Sequence, residues 1–277
     1  MSCCCCSGFF IVTAIFLAII AKFYFGRKNK ENPKLRKEDY KKDIVYLFQF
    51  SRRHGLPNIC PYCIKVETFL RTHKIQYEFI EGNFQRSQKG LLPFIELNGE
   101  QIADSEFIIE HLSKHFNIKD KSPKDVAGAG RAISRMFDTE ISQIHIKFKQ
   151  KEPEFLKTML AGIIPGFLIP IFIPIAQWIM YRKLKGYAAF SESELKQLYR
   201  RNLQAASDIL GERKFFGGDE TNLADCSVFA HLVNVYYFPC PNDLKLVIDE
   251  FPNLKRLINT IVRDYFSDCD VVNHLKD

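Results

Sequence analysis

The chain has 277 residues, 47% hydrophobic and 26% charged, with a formal net charge of +7 at pH 7. That balance excludes wholesale disorder and leaves room for one large domain or two smaller ones. From Lys22 to Lys42 nine basic residues face three acidic ones, so almost the whole net charge sits in one short stretch and the rest of the chain is near neutral. A nucleic-acid reader carries its positive field on the folded domain, so no nucleic-acid partner is expected.

Nine cysteines fall into three groups: Cys3–Cys6 in a run, Cys60 with Cys63, and Cys226, Cys240 and Cys269 singly. No regular spacing suggests a secreted disulfide framework. The single cysteines, in apolar helical contexts, read as small buried hydrophobes.

Residues 1–26 read as a Cys-rich N-terminus and a transmembrane anchor. Gly8–Phe25 is an apolar run of about eighteen residues, the length needed to cross a hydrocarbon core, with Lys22 placed to snorkel. The alternative, a cleaved signal peptide, lacks a basic n-region and an A-x-A site. Residues 27–42 then read as a basic linker. The positive-inside bias puts that linker and the folded domain on the cytosolic side of a single-pass membrane protein, with lipid as a partner. S-palmitoylation of Cys3, Cys4, Cys5 and Cys6 would require the opposite side, and the charge bias is the stronger signal.

Residues 43–117 pattern as a thioredoxin-type unit. Asp43–Phe50 is a buried parallel strand, and a loop with Gly55 and Pro57 leads to Cys60-Pro61-Tyr62-Cys63 at the start of a helix running to His73. Ile75–Ile80 is the second strand, completing a right-handed crossover. Leu91–Leu97, Asn98-Gly99 and Glu100–Ala103 form a hairpin. Pro93 stands just before its first strand, with the cis or trans isomer open. Asp104 or Ser105 caps the helix that follows.

Residues 123–277 read as helical. Lys124–Lys149 and Glu194–Leu210 have helical apolar spacing, the latter stopped by Gly211. Asn222 and Asp225 form a capping box at the head of a buried helix, and Phe251-Pro252-Asn253-Leu254 opens the last one. Met159–Tyr181 is an uncharged apolar insertion broken by Pro165, Pro170 and Pro174. It is a membrane-surface or re-entrant contact, a buried helix pair, or a true span, and it is the expected surface for a protein partner.

The strand, the cysteine-bearing turn, Leu92-Pro93 before a hairpin, Asp104-Ser105 opening a helix, and the Asn222–Asp225 box together resemble glutathione transferases. Within that superfamily the chain is similar to the failed-axon-connections and metaxin group, especially its nematode cadmium-responsive members. The resemblance implies a thioredoxin-like α/β N-terminal half and an all-α C-terminal half. It implies glutathione as ligand or substrate, with Leu92 and Pro93 meeting its cysteinyl unit and Asp104 and Ser105 its γ-glutamyl end, and a role in stress or metal response.

Cys60 and Cys63 are the candidate catalytic pair. A cysteine at a helix N-terminus gains thiolate character, and a second one three residues on can resolve a mixed disulfide. Against this stands a reading in which Cys60 is a plain loop residue and Cys63 a core residue, while Pro93, Asp104 and Ser105 only shape a turn and a cap. Two functions therefore stay open: a glutathione S-transferase or glutaredoxin-like thiol transferase, and a catalytically idle interaction module. No metal site is expected, since His111 and His115, spaced i and i+4, have no third ligand placed by sequence.

Overall fold

The structure is a computed structural model that describes residues 34–52, 55–82, 85–161, 164–184, 186–238 and 243–269. Four strands, β1 (Val45–Gln49), β2 (Tyr77–Glu81), β3 (Phe94–Leu97) and β4 (Glu100–Ala103), form one sheet in the order β2-β1-β3-β4. β1 and β2 are parallel, joined through helix α1 (Pro61–Thr72), while β3 runs antiparallel to both β1 and β4. The β3–β4 turn is Asn98-Gly99, both residues at positive φ (49° and 86°), as a two-residue hairpin demands. Helix α2 (Ser105–His115) closes this half.

Period-two alternation sorts the sheet into two faces. Val45, Leu47, Ile95 and Ile102 pack with α1 and α2 residues such as Val66, Leu70, Ile108 and Leu112. Tyr46, Phe48 and Phe94 bury the opposite face, with the Phe48 and Phe94 rings stacked at 4.4 Å. Part of the basic stretch covers that second face. The Arg36 and Lys37 amides donate to the Glu96 carboxylate at 2.9 Å, and the Lys41 amide donates to the Tyr46 hydroxyl at 2.9 Å. Residues 36–41 are thus held to the sheet through backbone amides, with most of their side chains exposed.

The helical half comprises α3 (Lys124–Met136), α4 (Ser142–Lys149), α5 (Pro153–Leu160), α6 (Ile169–Tyr181), α7 (Glu192–Leu210), α8 (Leu223–Tyr236), α9 (Asp243–Asp249) and α10 (Pro252–Tyr265). α8 is buried along most of its length and forms the axis of this half, and its Cys226 reaches the core under the sheet. The expected single helix over Lys124–Lys149 is interrupted by a π-helical turn at Phe137–Ile141, which separates α3 from α4. α7 ends at Gly211, whose positive φ of 56° terminates the helix.

The single-pass membrane anchor is corrected. Among the described residues no helix is long and apolar enough to cross a membrane, and Gly8–Phe25, on which the anchor rested, lies outside them together with Cys3, Cys4, Cys5 and Cys6. The true-span option for Met159–Tyr181 is corrected with it. A short turn at Gly166–Leu168 precedes α6, whose 13 residues span roughly 20 Å, short of a hydrocarbon core.

A thiol at the head of helix α1

Cys60 is the N-cap of α1, in extended conformation (φ −101°, ψ 119°), with Pro61 as the first helical residue. Its carbonyl accepts from the Cys63 and Ile64 amides at 3.1 and 3.2 Å, so the helix starts at this turn. The Cys60 thiol is half-buried and Cys63 is fully buried. A hydrogen bond from the Cys63 thiol, then the Cys63 and Tyr62 N–H groups and the charge of Lys149, outweigh burial and bring Cys60 down to about 7. Burial, reinforced by its neighbour Cys60, pushes Cys63 well above the ordinary thiol value. Of the two thiols Cys60 is therefore the more readily ionised, with Cys63 as its hydrogen-bond donor.

Three neighbours complete the surroundings of the thiol. Burial raises the Tyr62 phenol to about 12, and its hydroxyl donates to the Asp138 carbonyl at 2.7 Å and lies 2.9 Å from Ser142 Oγ. Arg86 lies over the Phe50 ring, 5.3 Å from its centroid, and is within electrostatic reach of both cysteines. Asn58 accepts from the Cys60 amide at 3.0 Å.

Strand register assembles the remaining candidates. Phe48 pairs with Phe94 and Phe94 with Ala103, so the residues just beyond them, Pro93 and Asp104, lie at the same end of the sheet as the turn that follows β1. The Leu92–Pro93 bond is cis. Asp104 has φ 85°, a conformation rare outside glycine, and its Oδ1 accepts from the Glu106 amide at 3.0 Å. Ser105 is buried at the first turn of α2. Asp104 also lines a groove of about 980 Å³ between α2, α3 and residues 217–223, with Glu106, Phe107 and Arg131 on its walls; Cys60 lies outside that groove.

Beneath the cysteine turn lies a charged network that sequence patterning missed. Lys65 of α1, with no exposed side-chain surface, donates to Glu106 Oε1 at 2.6 Å and to Asp138 Oδ2 at 2.5 Å. His231 of α8 donates from Nε2 to Asp138 Oδ1 at 3.3 Å, since a carboxylate can only accept. Burial lowers the His231 pKa and keeps the ring neutral. Burial opposes ionisation of Asp138, but the His231 hydrogen bond and the charge of Lys65 hold it below the usual carboxylate value. The π-helical turn at Phe137–Ile141 carries Asp138 in the buried part of its circumference, and such turns recur where a helix must redirect one side chain. A charged residue inside an amphipathic helix normally reads as solvent-facing, so only the acidic partners in α2 and the π turn reveal what Lys65 does.

Elsewhere, Asn222 Oδ1 accepts from the Ala224 amide at 2.9 Å, and Asp225 accepts from the amides of Asn222 and Phe216 at 2.8 and 2.9 Å. His115 lies 2.8 Å from Asp43 and stacks parallel to His111. No group of metal-binding side chains exists among the described residues.

With this geometry in place, comparison with known proteins decides the family. Residues 61–155 match the glutathione S-transferase N-terminal domain and residues 199–261 the glutathione S-transferase C-terminal domain. The chain is 31% identical over 260 residues to Failed axon connections of Drosophila melanogaster, covering 86% of this chain. It belongs to the glutathione-transferase superfamily, in the failed-axon-connections branch. The chain spans 62% of the length of that fly relative. It is also 26% identical over 208 residues to the isoprene-epoxide–glutathione S-transferase of a Rhodococcus strain, covering 69% of this chain and 87% of that protein. Among solved structures, a glutathione S-transferase of Ceriporiopsis subvermispora in complex with glutathione superposes with a TM-score of 0.56 at 14% identity, covering 79% of this chain and 97% of that one. That likeness establishes the fold: a thioredoxin-like half followed by a helical half.

Proposed function

We propose that the chain binds glutathione at the sheet end marked by Leu92, Pro93, Asp104 and Ser105, and uses Cys60 for glutathione-dependent thiol transfer. The observation that carries this reading is the Cys60 thiol at the head of α1, hydrogen-bonded by Cys63 and two helix amides and brought to about 7. A thiol with that value is substantially ionised at neutral pH and still strongly nucleophilic. In the step proposed, the Cys60 thiolate attacks the glutathionyl sulfur of a mixed disulfide, forming a Cys60–glutathione disulfide and expelling the other thiolate. A second glutathione thiolate then attacks the glutathione sulfur of that bond, releasing oxidised glutathione and restoring Cys60. Cys63 stabilises the thiolate by its hydrogen bond and is not consumed. The role in stress or metal response rests on the family resemblance alone.

Calorimetric titration of glutathione into the reduced protein, with assay on a glutathione mixed disulfide, tests the proposal. Wild type binds and turns over, Cys60→Ser binds without turning over, and Cys63→Ser keeps turnover at reduced rate. Absence of glutathione binding by wild type sinks the enzyme reading. A second reading, an interaction module, is favoured by one observation: α6 and its flanks expose Phe167, Ile171, Trp178 and Tyr181. A folded chain that binds no glutathione but loses a protein contact on Trp178→Ser would support it.

A further inference from the structure

Asn58 and Asn234 are both fully buried, and the hydrogen bonds they make form a single line. Asn58 uses its whole amide on the cysteine turn: Oδ1 accepts from the Cys60 amide at 3.0 Å and Nδ2 donates to the Phe50 carbonyl at 2.6 Å. That ties the turn to the end of β1. The Asn58 carbonyl in turn accepts from Asn234 Nδ2 of α8 at 2.9 Å. Asn234 Oδ1 is held by the ammonium of Lys149, the last residue of α4. An amide side chain can present either its oxygen or its nitrogen to a neighbour. With Lys149 donating to Oδ1, only Nδ2 can face the Asn58 carbonyl. Without that donor Oδ1 is a buried acceptor deprived of its ammonium, and the amide that holds the Asn58 carbonyl loses one of its two anchors.

We propose that Lys149 is a positioning residue for Cys60, acting through Asn234 and Asn58 to hold the turn so that the helix amides aim at the sulfur. The inference rests on the thiol-transfer reading for its purpose, but its geometry does not depend on glutathione. It means that the helical half, and not only the thioredoxin-like half, sets the reactivity of the thiol. Among the described residues, the charged and titratable groups facing Cys60 are Cys63 and Tyr62 from α1, Lys149 from α4 and Arg86 from the loop before β3. Of these, Lys149 reaches it both as a nearby positive charge and through the two asparagines, so the test must separate the two routes.

The test is the rate of Cys60 carbamidomethylation in the full-length reduced chain between about pH 5 and 10, read by peptide mass spectrometry. In Lys149→Met the midpoint should rise by about one unit, which is about tenfold slower alkylation below it. Asn234→Ala, which keeps the lysine charge, should raise it by a similar amount. The double variant should fall short of the sum of the two single shifts, adding only the direct charge of the lysine, because the two residues otherwise act in one line. Lys149→Arg, which keeps donor and charge, should restore the wild-type profile. Near-ultraviolet circular dichroism establishes that each variant is folded. A shift in Lys149→Met without one in folded Asn234→Ala would reduce the lysine to a bystander charge and overturn the proposal. So would unchanged profiles in both. Because alkylation needs no glutathione, failure of wild type to bind that ligand would sink the thiol-transfer reading while leaving this comparison decisive.

Discussion

Cys60 and Cys226 carry the same thiol in opposite surroundings. Cys60 receives hydrogen bonds from Cys63 and two helix amides, whereas Cys226 is fully buried in the core under the sheet and burial pushes its thiol up. Cys60 should therefore be alkylated at least about tenfold faster than Cys226 in the folded protein at neutral pH. Its thiolate fraction increases as pH rises through about 7, so the Cys60 rate should climb from mildly acid pH and level off about one unit above the midpoint. A rate still rising steeply well beyond that point would remove the case for an activated thiol. Asp104 offers a second test at this scale, because its cap and its proposed ligand contact are separable. Asp104→Ala loses the hydrogen bond to Glu106 N at a positive-φ position and should cost about 1–2 kcal/mol by urea denaturation. Asp104→Asn keeps an acceptor and tolerates that backbone, so stability should hold while glutathione affinity falls, if the carboxylate meets the ligand's ammonium group.

α1 is the element on which both halves of the molecule converge. One turn below Cys60 it donates Lys65 to Glu106 and Asp138, and further along it offers the buried Glu67 to Arg52 at 2.5 Å and Arg71 at 2.9 Å. Lys65→Met leaves the Asp138 carboxylate buried without its principal cation and should cost about 3–5 kcal/mol by urea denaturation. Asp138 and Glu106 are both held below ordinary carboxylate values, in each case against the cost of burial. Their contribution to stability is therefore complete above the unfolded carboxylate range and is lost as pH falls through their depressed folded values. Lys65→Met should remove much of that acid dependence, and a variant with wild-type acid unfolding would show that the network is not what stabilises α1. At the head of α8 a buried carboxylate meets backbone amides instead of a cation, and burial pushes it up to about 7. Asp225 accepts from the Asn222, Phe216 and Gly217 amides, so Asp225→Ala should cost on the order of 3 kcal/mol, more than an ordinary cap.

At the scale of the whole molecule, the two halves are joined by the buried Lys65–Asp138 ion pair, by the more exposed Arg71–Asp268 pair and by shared core. Lys65 meets Asp138 and His231 territory in the helical half, and Arg71 reaches Asp268 at 2.6 Å and the Tyr265 carbonyl at 2.8 Å near the end of the described chain. Arg71 also lies 4.5 Å from the Phe266 ring centroid. Separating the halves would strand these charges, so they should unfold in one transition. The single tryptophan, Trp178, reports on α6 in the helical half, while alkylation of the buried Cys63 reports on the thioredoxin-like half. Coincident urea curves from the two probes are expected. A tryptophan transition well ahead of Cys63 exposure would show that the halves melt separately.

The sequence by itself determined the elements whose signals are local. Asn98-Gly99 places a hairpin because two consecutive positive-φ residues are hard to supply otherwise, Gly211 stops a helix for the same reason, and Asn222 with Asp225 marks a helix start through backbone amides only a few residues away. The apolar runs of β1 and β3 were equally legible as strands, although every position in both is buried and the two faces were sorted only by the pairing. The resemblance carried by Leu92-Pro93 and Asp104-Ser105 pointed to the superfamily, whereas the membrane anchor, inferred from Gly8–Phe25, has no counterpart among the described residues. Only the tertiary structure decided what the charged and amide side chains do. Lys65, Glu67, Asp138, Lys149 and Asn234 look in sequence like the solvated faces of helices, and no spacing rule links them. Apart from Arg71, four residues from Glu67, the partners named for them lie 15 to 176 residues away on other elements, so their roles exist only once packing has excluded water and brought those partners within reach.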